Sequence, residues 1–545
     1  MAENYTREQL NSMDTETLIC AFLDTQKELK ETREKYDSLN QTLQLMMEDL
    51  ADMKRRRFGR STEKLEDYGQ LRFIETENGF AYFNEAEAVY DAEDPSEEET
   101  DGLPETKRGK KRTGKREADL QDLPVKVIYH DMTEEDLADV FGEEEYKRLP
   151  DEIQRQYYFR PSEIGIEEHH IAVYAGKLSE NVAKAEHPKK LLRNSLISPS
   201  LAAGIMTAKY VNAVPLYRQE TSMNNNGIMV TRKNMADWMI TLSERYLLPV
   251  YQRIHEKLLE HHVIHADETP VLVNKDGRPA GSKSYMWVYR SGVYDKQRPM
   301  VLYEYQKTRK ADHPRQFLKD FSGVCVTDGY QVYHTVEGEK EDLTIAGCWA
   351  HARRKYDEAL KALPKDKRKG ALAATALKLI KVIFEEDGKL KDLSAEERRL
   401  KRQEHVAPLV DAYFAWVKEN RSKVMSGTKT DKGMQYSLNQ EKYLRVFLSD
   451  GEVAMDNNGA EQAIRPFCVG KKNWEFCDTI SGAKASAVIY SIVEIAKANG
   501  LRPYNYLEHL LMIVPEHLND TDQSWLDDLL PWSDRLPKEC HKVLK

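Results

Sequence analysis

At 545 residues the chain is longer than one hydrophobic core fills, so several domains are expected. Hydrophobic residues at 40% can build those cores and charged residues at 32% give a large solvated surface; no apolar stretch approaches a bilayer span, the N-terminus lacks the apolar run of a signal peptide, and six cysteines without paired spacing suit a reducing cytoplasm rather than a disulfide framework. The net charge of −10 is a matter of location: residues 85–101 hold nine acids and no base, and Lys107 to Arg116 follows with seven bases and no acid.

Residues 1–66 are expected to form a coiled-coil, leucine-zipper-like helix with a basic end. Phe22, Leu29, Tyr36, Leu43 and Leu50 recur every seven residues, Leu39, Met46 and Met53 occupy the intervening seam, and no proline or glycine interrupts residues 15–57. A helical hairpin within one chain would use the same pattern. The helix ends in Lys54, Arg55, Arg56, Arg57 and Arg60, with Gly59 as its stop. Residues 67–118 read as an acidic, then basic linker, in which Lys107, Arg108, Lys110, Lys111 and Arg112 are dense enough to contact phosphates. Residues 119–190 alternate β-like runs with charged helical stretches, a small α+β module. Residues 191–262 turn helical, and Met235, Trp238, Met239, Leu242 and Tyr246 give the longest helix one apolar face. A helix-turn-helix that touches DNA and an ordinary helical bundle would look alike here.

Residues 263–356 change character. VIHADETPVLV, SYMWVYRSG and MVLYEYQKT are strand-like runs rich in β-branched and aromatic residues; a helix and two further strands, GVCVTDGY and TIAGCWAH, follow. That alternation predicts a mixed α/β sheet. Residues 357–455 are polar and helical, an insertion; 456–500 resume the core with a buried-looking signature, and 501–545 read as a helical tail. The fold class expected is therefore multidomain α/β, with a helical region ahead of a mixed sheet that a helical insertion interrupts.

Three acids stand out by position. Asp267 ends the first strand, Asp328 ends the fourth, and Glu461 lies in the first turns of a helix that Asp456 or its asparagine neighbours would cap. Taken singly, each is as well explained as a surface acid or a cap. Together, three carboxylates suit a hard divalent cation such as Mg²⁺ and the in-line displacement chemistry of phosphodiesters. Arg465 lies one helical turn after Glu461, placed either to pair with it or to meet phosphate. Lys471, Lys472 and Trp474, and likewise Arg353 and Arg354, set bases beside aromatics, which suits phosphate contact and base stacking; Trp349 and Trp474 would serve equally as core. Cys348 and His351 have C-x-x-H spacing, but two ligands make a weak metal signal, and a packed thiol beside a hydrogen-bonded imidazole is the simpler reading.

The blocks HADETPVLV, TDGYQVY, GCWAHARRKY and DNNGAEQAIRPFCVGKKNW resemble those of the Insertion Sequence 66 family of bacterial transposases. KRRRFGRSTEKL, AKYVNAVPLYRQE, NMADWM and LRPYNYLEHLL extend the resemblance over nearly the whole chain. It implies a ribonuclease-H-like catalytic domain with a DDE triad at Asp267, Asp328 and Glu461, using Mg²⁺ with Mn²⁺ as a plausible substitute. Glu268, next to Asp267, should point to the opposite strand face. The resemblance further implies binding to double-stranded DNA at the ends of a mobile element and at a target, cleavage and 3′-hydroxyl transfer, a homo-oligomer on DNA, small accessory proteins, no membrane, and a bacterial cytoplasmic, nucleoid-associated location. A structure-selective nuclease of the same fold and an inactive DNA-binding regulator are the alternatives. The sequence departs from the family at 119–190, where a zinc-ribbon-like module is usual: this stretch has no cysteine, so no structural zinc is expected.

Overall fold

The computed structural model describes residues 190–542 apart from 194 and 280, two short strands at 173–175 and 182–184, and a few positions between 22 and 46, which are helical. The heptad seam as a whole, the linker at 67–118, most of the module at 119–190, and the basic runs Lys54 to Arg60 and Lys107 to Arg112 lie outside the described residues. The chain divides into two units, one comprising 1–64 and 189–542 and the other centred on 65–188. In the second, β1 (Val173–Ala175) and β2 (Val182–Lys184) pair antiparallel.

The larger unit begins with helices. In α1 (Pro199–Tyr210) proline fills the first turn, where its missing N–H costs nothing, and the Ser198 hydroxyl accepts from Leu201 N–H at 3.1 Å. After α2 (Leu216–Asn225), Thr231 caps α3 (Arg232–Leu242), which runs through a wide π turn at Ser243–Leu247 into α4 (Leu248–Leu259). Pro249, inside the first turn of α4, cannot donate to the preceding turn, and the wider coil absorbs that break. Met235, Met239, Leu242 and Tyr246 are buried as the apolar face requires, with Trp238 packed at its edge.

Strands β3 (Val263–Lys275), β4 (Lys283–Ser291) and β5 (Val301–Gln306) form an antiparallel meander. Helix α5 (Asp312–Phe317) leads to β6 (Gly323–Val326), and α6 (Gln331–Glu339) to β7 (Leu343–Ala346). Both later strands run parallel to β3, giving the order β5-β4-β3-β6-β7. The mixed sheet is thus as the strand pattern predicts. Alternation sorts its side chains: Ile264, Cys325 and Ile345 join the cluster of Ile254, Phe317 and Tyr333, while Val263, Val324, Val326 and Ala346 join the cluster around Trp349, Ile380 and Phe447.

Helix α7 (Trp349–Ala362) leaves the sheet and runs unbroken into the insertion, made of α8 (Leu372–Gly388), α9 (Ala395–Lys401), α10 (Ala407–Asn420), α11 (Lys429–Asn439) and two single turns, α12 (Glu441–Leu444) and α13 (Val446–Ser449). Within it the fully buried Arg402 pairs with Asp387 at 2.7 Å and donates to the carbonyls of Phe447, Asp450 and Val453. The chain then returns through α14 (Asn458–Trp474), β8 (Phe476–Thr479), α15 (Ile480–Ala498) and α16 (Pro503–His517). β8 extends the sheet by pairing with the far half of β3, Leu272 opposite Phe476. α1 to α4 share one apolar core with the sheet, α15 and α16. No described helix is long and apolar enough to cross a membrane.

Candidate active site

The sheet brings two aspartates level. Val263, Ile264 and His265 on β3 pair in register with Val324, Cys325 and Val326 on β6, and two residues beyond the last pair the chains reach Asp267 and Asp328. Each is oriented by a main-chain donor: Asp267 Oδ1 accepts from Glu268 N–H at 2.8 Å, and Asp328 Oδ1 from Tyr330 N–H at 2.9 Å. Carboxylate oxygens of Asp267, Glu268 and Asp328 come within 4.8 Å of one another. Gly329 follows Asp328 with φ +85°, a conformation other residues rarely adopt, and the Tyr436 hydroxyl from α11 donates to the Asp328 carbonyl at 3.0 Å.

Glu268, expected on the opposite strand face, nonetheless brings its carboxylate into the cluster with Asp267 and Asp328, and its side chain is 1% exposed. One of its oxygens pairs with the Arg309 guanidinium, and the other accepts from Tyr333 O–H at 3.2 Å. Arg309 lies 3.7 Å over the Tyr330 ring and 3.9 Å from Asp328 Oδ2. With both oxygens engaged, Glu268 serves better as the counter-ion of Arg309 than as a free ligand.

Glu461 approaches from α14. Arg354 Nη2, on α7, contacts both its oxygens, at 3.2 and 3.3 Å, and His351 Nδ1 lies 3.8 Å away. Burial and Arg354 hold the His351 pKa below its usual value, which favours the neutral ring. Glu461 was expected to pair with Arg465 or leave it free for phosphate; Arg354 takes the pairing role, and Arg465 is exposed. Of the caps expected at the helix start, Asp456 serves: its Oδ1 accepts from Asn458 N–H at 3.0 Å, while the Asn457 side chain makes no capping bond.

The crowding has an electrostatic signature. Burial first, then the charges of Glu268, Asp328 and Glu461, push Asp267 up to about 8, against the pull of the Glu268 N–H. Burial and the charge of Asp328 likewise raise Glu268, which Arg309 opposes. Clustered carboxylates that resist ionising together are a ready site for a cation that lets them do so, and all-oxygen donors fit a hard divalent ion.

Residues 194–485 match the family model described as Transposase IS66 family. The chain belongs to the IS66 family of transposases. Residues 491–532 match the IS66 C-terminal element, and residues 45–128 match a model described as Transposase C of IS166 homeodomain. Among curated proteins, the uncharacterized protein y4qI of Sinorhizobium fredii is 31% identical over 371 residues, covering 66% of this chain and 67% of that protein. The uncharacterized protein y4hP of the same organism is 28% identical over 370 residues, covering 65% of each, just under two thirds of its length.

In this transposase the other expected contact residues are placed variously. Arg353 is half-buried beside Arg354, and Lys472 is exposed. Lys471 Nζ donates to the Pro270 carbonyl at 2.6 Å, tying α14 to β3. Trp474 is half-buried, edge-on to Phe467 with centroids 5.4 Å apart and with Lys209 Nζ 5.8 Å from its ring centroid, so it packs rather than standing clear for a base. Trp349 is wholly buried and donates Nε1–H to Leu444 O at 2.8 Å. Cys348 is a packed thiol whose Sγ accepts from Asn457 N–H at 3.1 Å. Sequence reasoning missed Arg309, Tyr333 and Tyr436, whose partners are distant in the chain and leave no local pattern. Tyr333 and Asn457 sat inside quoted blocks, Asn457 considered only as a helix cap.

Proposed function

We propose that this transposase cuts and joins DNA with Asp267, Asp328 and Glu461 as its catalytic acids. The observation that carries the reading is the level placement of Asp267, which was expected to end its strand but lies within β3, and Asp328, just past the end of the parallel neighbour β6, with Glu461 on the helix packed beside them. The strand order, an antiparallel meander followed by two strands parallel to the first, supports a ribonuclease-H-like core. Asp267 and Asp328 would hold Mg²⁺, or Mn²⁺ in its place, with Glu461 completing the site. Bound there, divalent ions supply the charge that activates an attacking oxygen and stabilises the leaving one.

The chain's own residues do the positioning. Main-chain N–H groups of Glu268 and Tyr330 aim the two aspartates, and Arg309 and Arg354 offset the negative charge from either flank. Arg465 and Lys472, exposed on α14, with Arg353 and Arg354 on α7, are placed to grip the phosphates of an element end, a salt-dependent and largely sequence-neutral contact. Hydrolysis forms a new P–O bond to water and breaks the bond to the 3′ oxygen, freeing a 3′-hydroxyl. That hydroxyl then attacks a target phosphorus and displaces the target's own 3′ oxygen. Two ends must be processed together, so the working form is a homo-oligomer assembled on DNA, with residues 1–66 as its coiled coil.

The test is strand cleavage of the element's own end DNA by the full chain, with Mg²⁺ or EDTA, beside Glu461→Gln. Boundary cleavage that needs both the ion and Glu461 is expected. Binding without cutting would favour a regulator, cutting without joining a nuclease, and cutting that survives Glu461→Gln would remove that acid from the set.

A further inference from the structure

The start of α14 holds a residue whose position the active acids share. Asn457 is wholly buried, and none of its side-chain bonds serves its own helix. Nδ2 donates to the Ala266 carbonyl at 2.8 Å, and Oδ1 accepts from His265 Nδ1–H at 3.0 Å, both on β3. Its backbone N–H reaches Cys348 Sγ at the start of α7, and its carbonyl accepts from Glu461 N–H at 3.2 Å. One residue therefore bonds to the peptide before Asp267, to the peptide of Glu461, and to the root of the helix that carries His351 and Arg354.

An asparagine at a helix start ordinarily spends its side chain on the helix's own free N–H groups. Here that bond is forgone and Asp456 serves the Asn458 N–H instead. The amide is committed to a strand 191 residues away in sequence. Close approach is enforced from a second side: a Cβ on Gly459 would lie 2.7 Å from Val293 and 3.1 Å from Arg290, whose Nη1 donates to the Gly459 carbonyl at 3.3 Å.

We propose that Asn457 is a positioning residue that fixes the spacing between Asp267 and Glu461 and thereby the fit of the site to Mg²⁺. The inference rests on the reading of these acids as a divalent-ion site. Mg²⁺ demands near-ideal octahedral geometry, so a small displacement of Glu461 should be felt there first.

The experiment compares parent, Asn457→Ala and Asn457→Asp as full-length protein. It measures Mg²⁺ and Mn²⁺ binding by calorimetry, thermal unfolding in EDTA, end-DNA affinity, and cleavage with each ion. Asn457→Ala should bind Mg²⁺ about 10–100-fold more weakly, the usual cost of losing a bond that supports a ligand. Cleavage should recover more in Mn²⁺ than in Mg²⁺, and end-DNA affinity should be unchanged. Where the alanine variant fails to fold, Asn457→Asp keeps an acceptor facing His265 but sets an ionised carboxylate oxygen against the Ala266 carbonyl in place of the donor, and should show the same ion preference. A lower unfolding temperature with unaltered ion affinity and an unaltered Mg²⁺-to-Mn²⁺ ratio would overturn the inference alone. A parent that neither binds divalent ions nor cleaves with them would overturn the site reading as well.

Discussion

Arg354 contacts both carboxylate oxygens of Glu461, reaching across from α7 to α14 at 3.2 and 3.3 Å. The third acid is thus already matched by a cation, and a divalent ion binding there would have to compete with that guanidinium. The pair is partly solvated, with Arg354 39% exposed, so its hold is modest.

Arg354→Gln should therefore tighten Mg²⁺ binding to the DNA-free protein by up to about fivefold, equivalent to roughly 1 kcal/mol. The same change should lower end-DNA cleavage if Arg354 makes the phosphate contact proposed for it. Ion titration without DNA, beside a cleavage assay, separates the two effects. Weaker ion binding in the variant would mean that Arg354 builds the site rather than guarding it.

The raised Asp267 pKa sets a pH dependence whose sign is fixed. Its ordinary value is 3.8 and its folded value about 8, so through that window the native state holds a proton that the unfolded chain has lost. This group's contribution to ion-free stability declines as pH rises from about 4 to about 8. An ion that needs the carboxylate must displace that proton, so Mg²⁺ affinity should climb up to about tenfold per unit as pH approaches 8 and level off above it. Calorimetry in buffers of differing ionisation enthalpy would register the released proton. Equal affinity at about pH 6.5 and about pH 8.5 would contradict the assignment.

Gly329→Ala should damage the site while leaving the fold in place. The residue has φ +85°, and a Cβ there would lie 2.9 Å from the Tyr436 hydroxyl and 3.2 Å from Gln440 Oε1. The left-handed backbone alone costs about 1–2 kcal/mol with any other side chain. The chain is expected to relieve this by shifting Asp328 or expelling Tyr436, with cleavage reduced on the order of 10²-fold, as for misplacement of about an ångström. Parental activity in Gly329→Ala would show that Tyr436 and the turn have no part in holding Asp328.

How far the sequence discloses this site depends on the range of each interaction. Strand alternation is a local signal, so the mixed sheet could be read directly, but the end of a strand is not: Asp328 does lie just past β6, whereas β3 continues through Asp267 to Lys275. Glu461 is different: 133 residues separate it from Asp328, and its chemistry was legible only through the resemblance of the block that contains it. The Arg309 clamp and the Arg354 pairing join segments tens of residues apart, and nothing in either local pattern names the partner. At Trp474 the sequence left stacking on a base and core packing equally open, and only the contact with Phe467 favours the second.

Arg402 offers a way to separate the insertion's structural role from the chemistry. Its guanidinium is wholly buried, pairs with Asp387, and donates to three carbonyls of the segment that leads back to Met455. Arg402→Ala would leave the Asp387 carboxylate and those carbonyls buried without their donor, a loss of about 3–5 kcal/mol. Arg402→Met together with Asp387→Leu removes both charges and should cost much less, because no unpaired ion remains. Urea unfolding would report the difference directly. The single variant should also lose cleavage, since the returning segment sets where α14 begins, whereas the double variant should retain more of it in proportion to its restored stability. A double variant as unstable as the single one would mean that the carbonyl bonds, rather than the ion pair, hold the return segment in place.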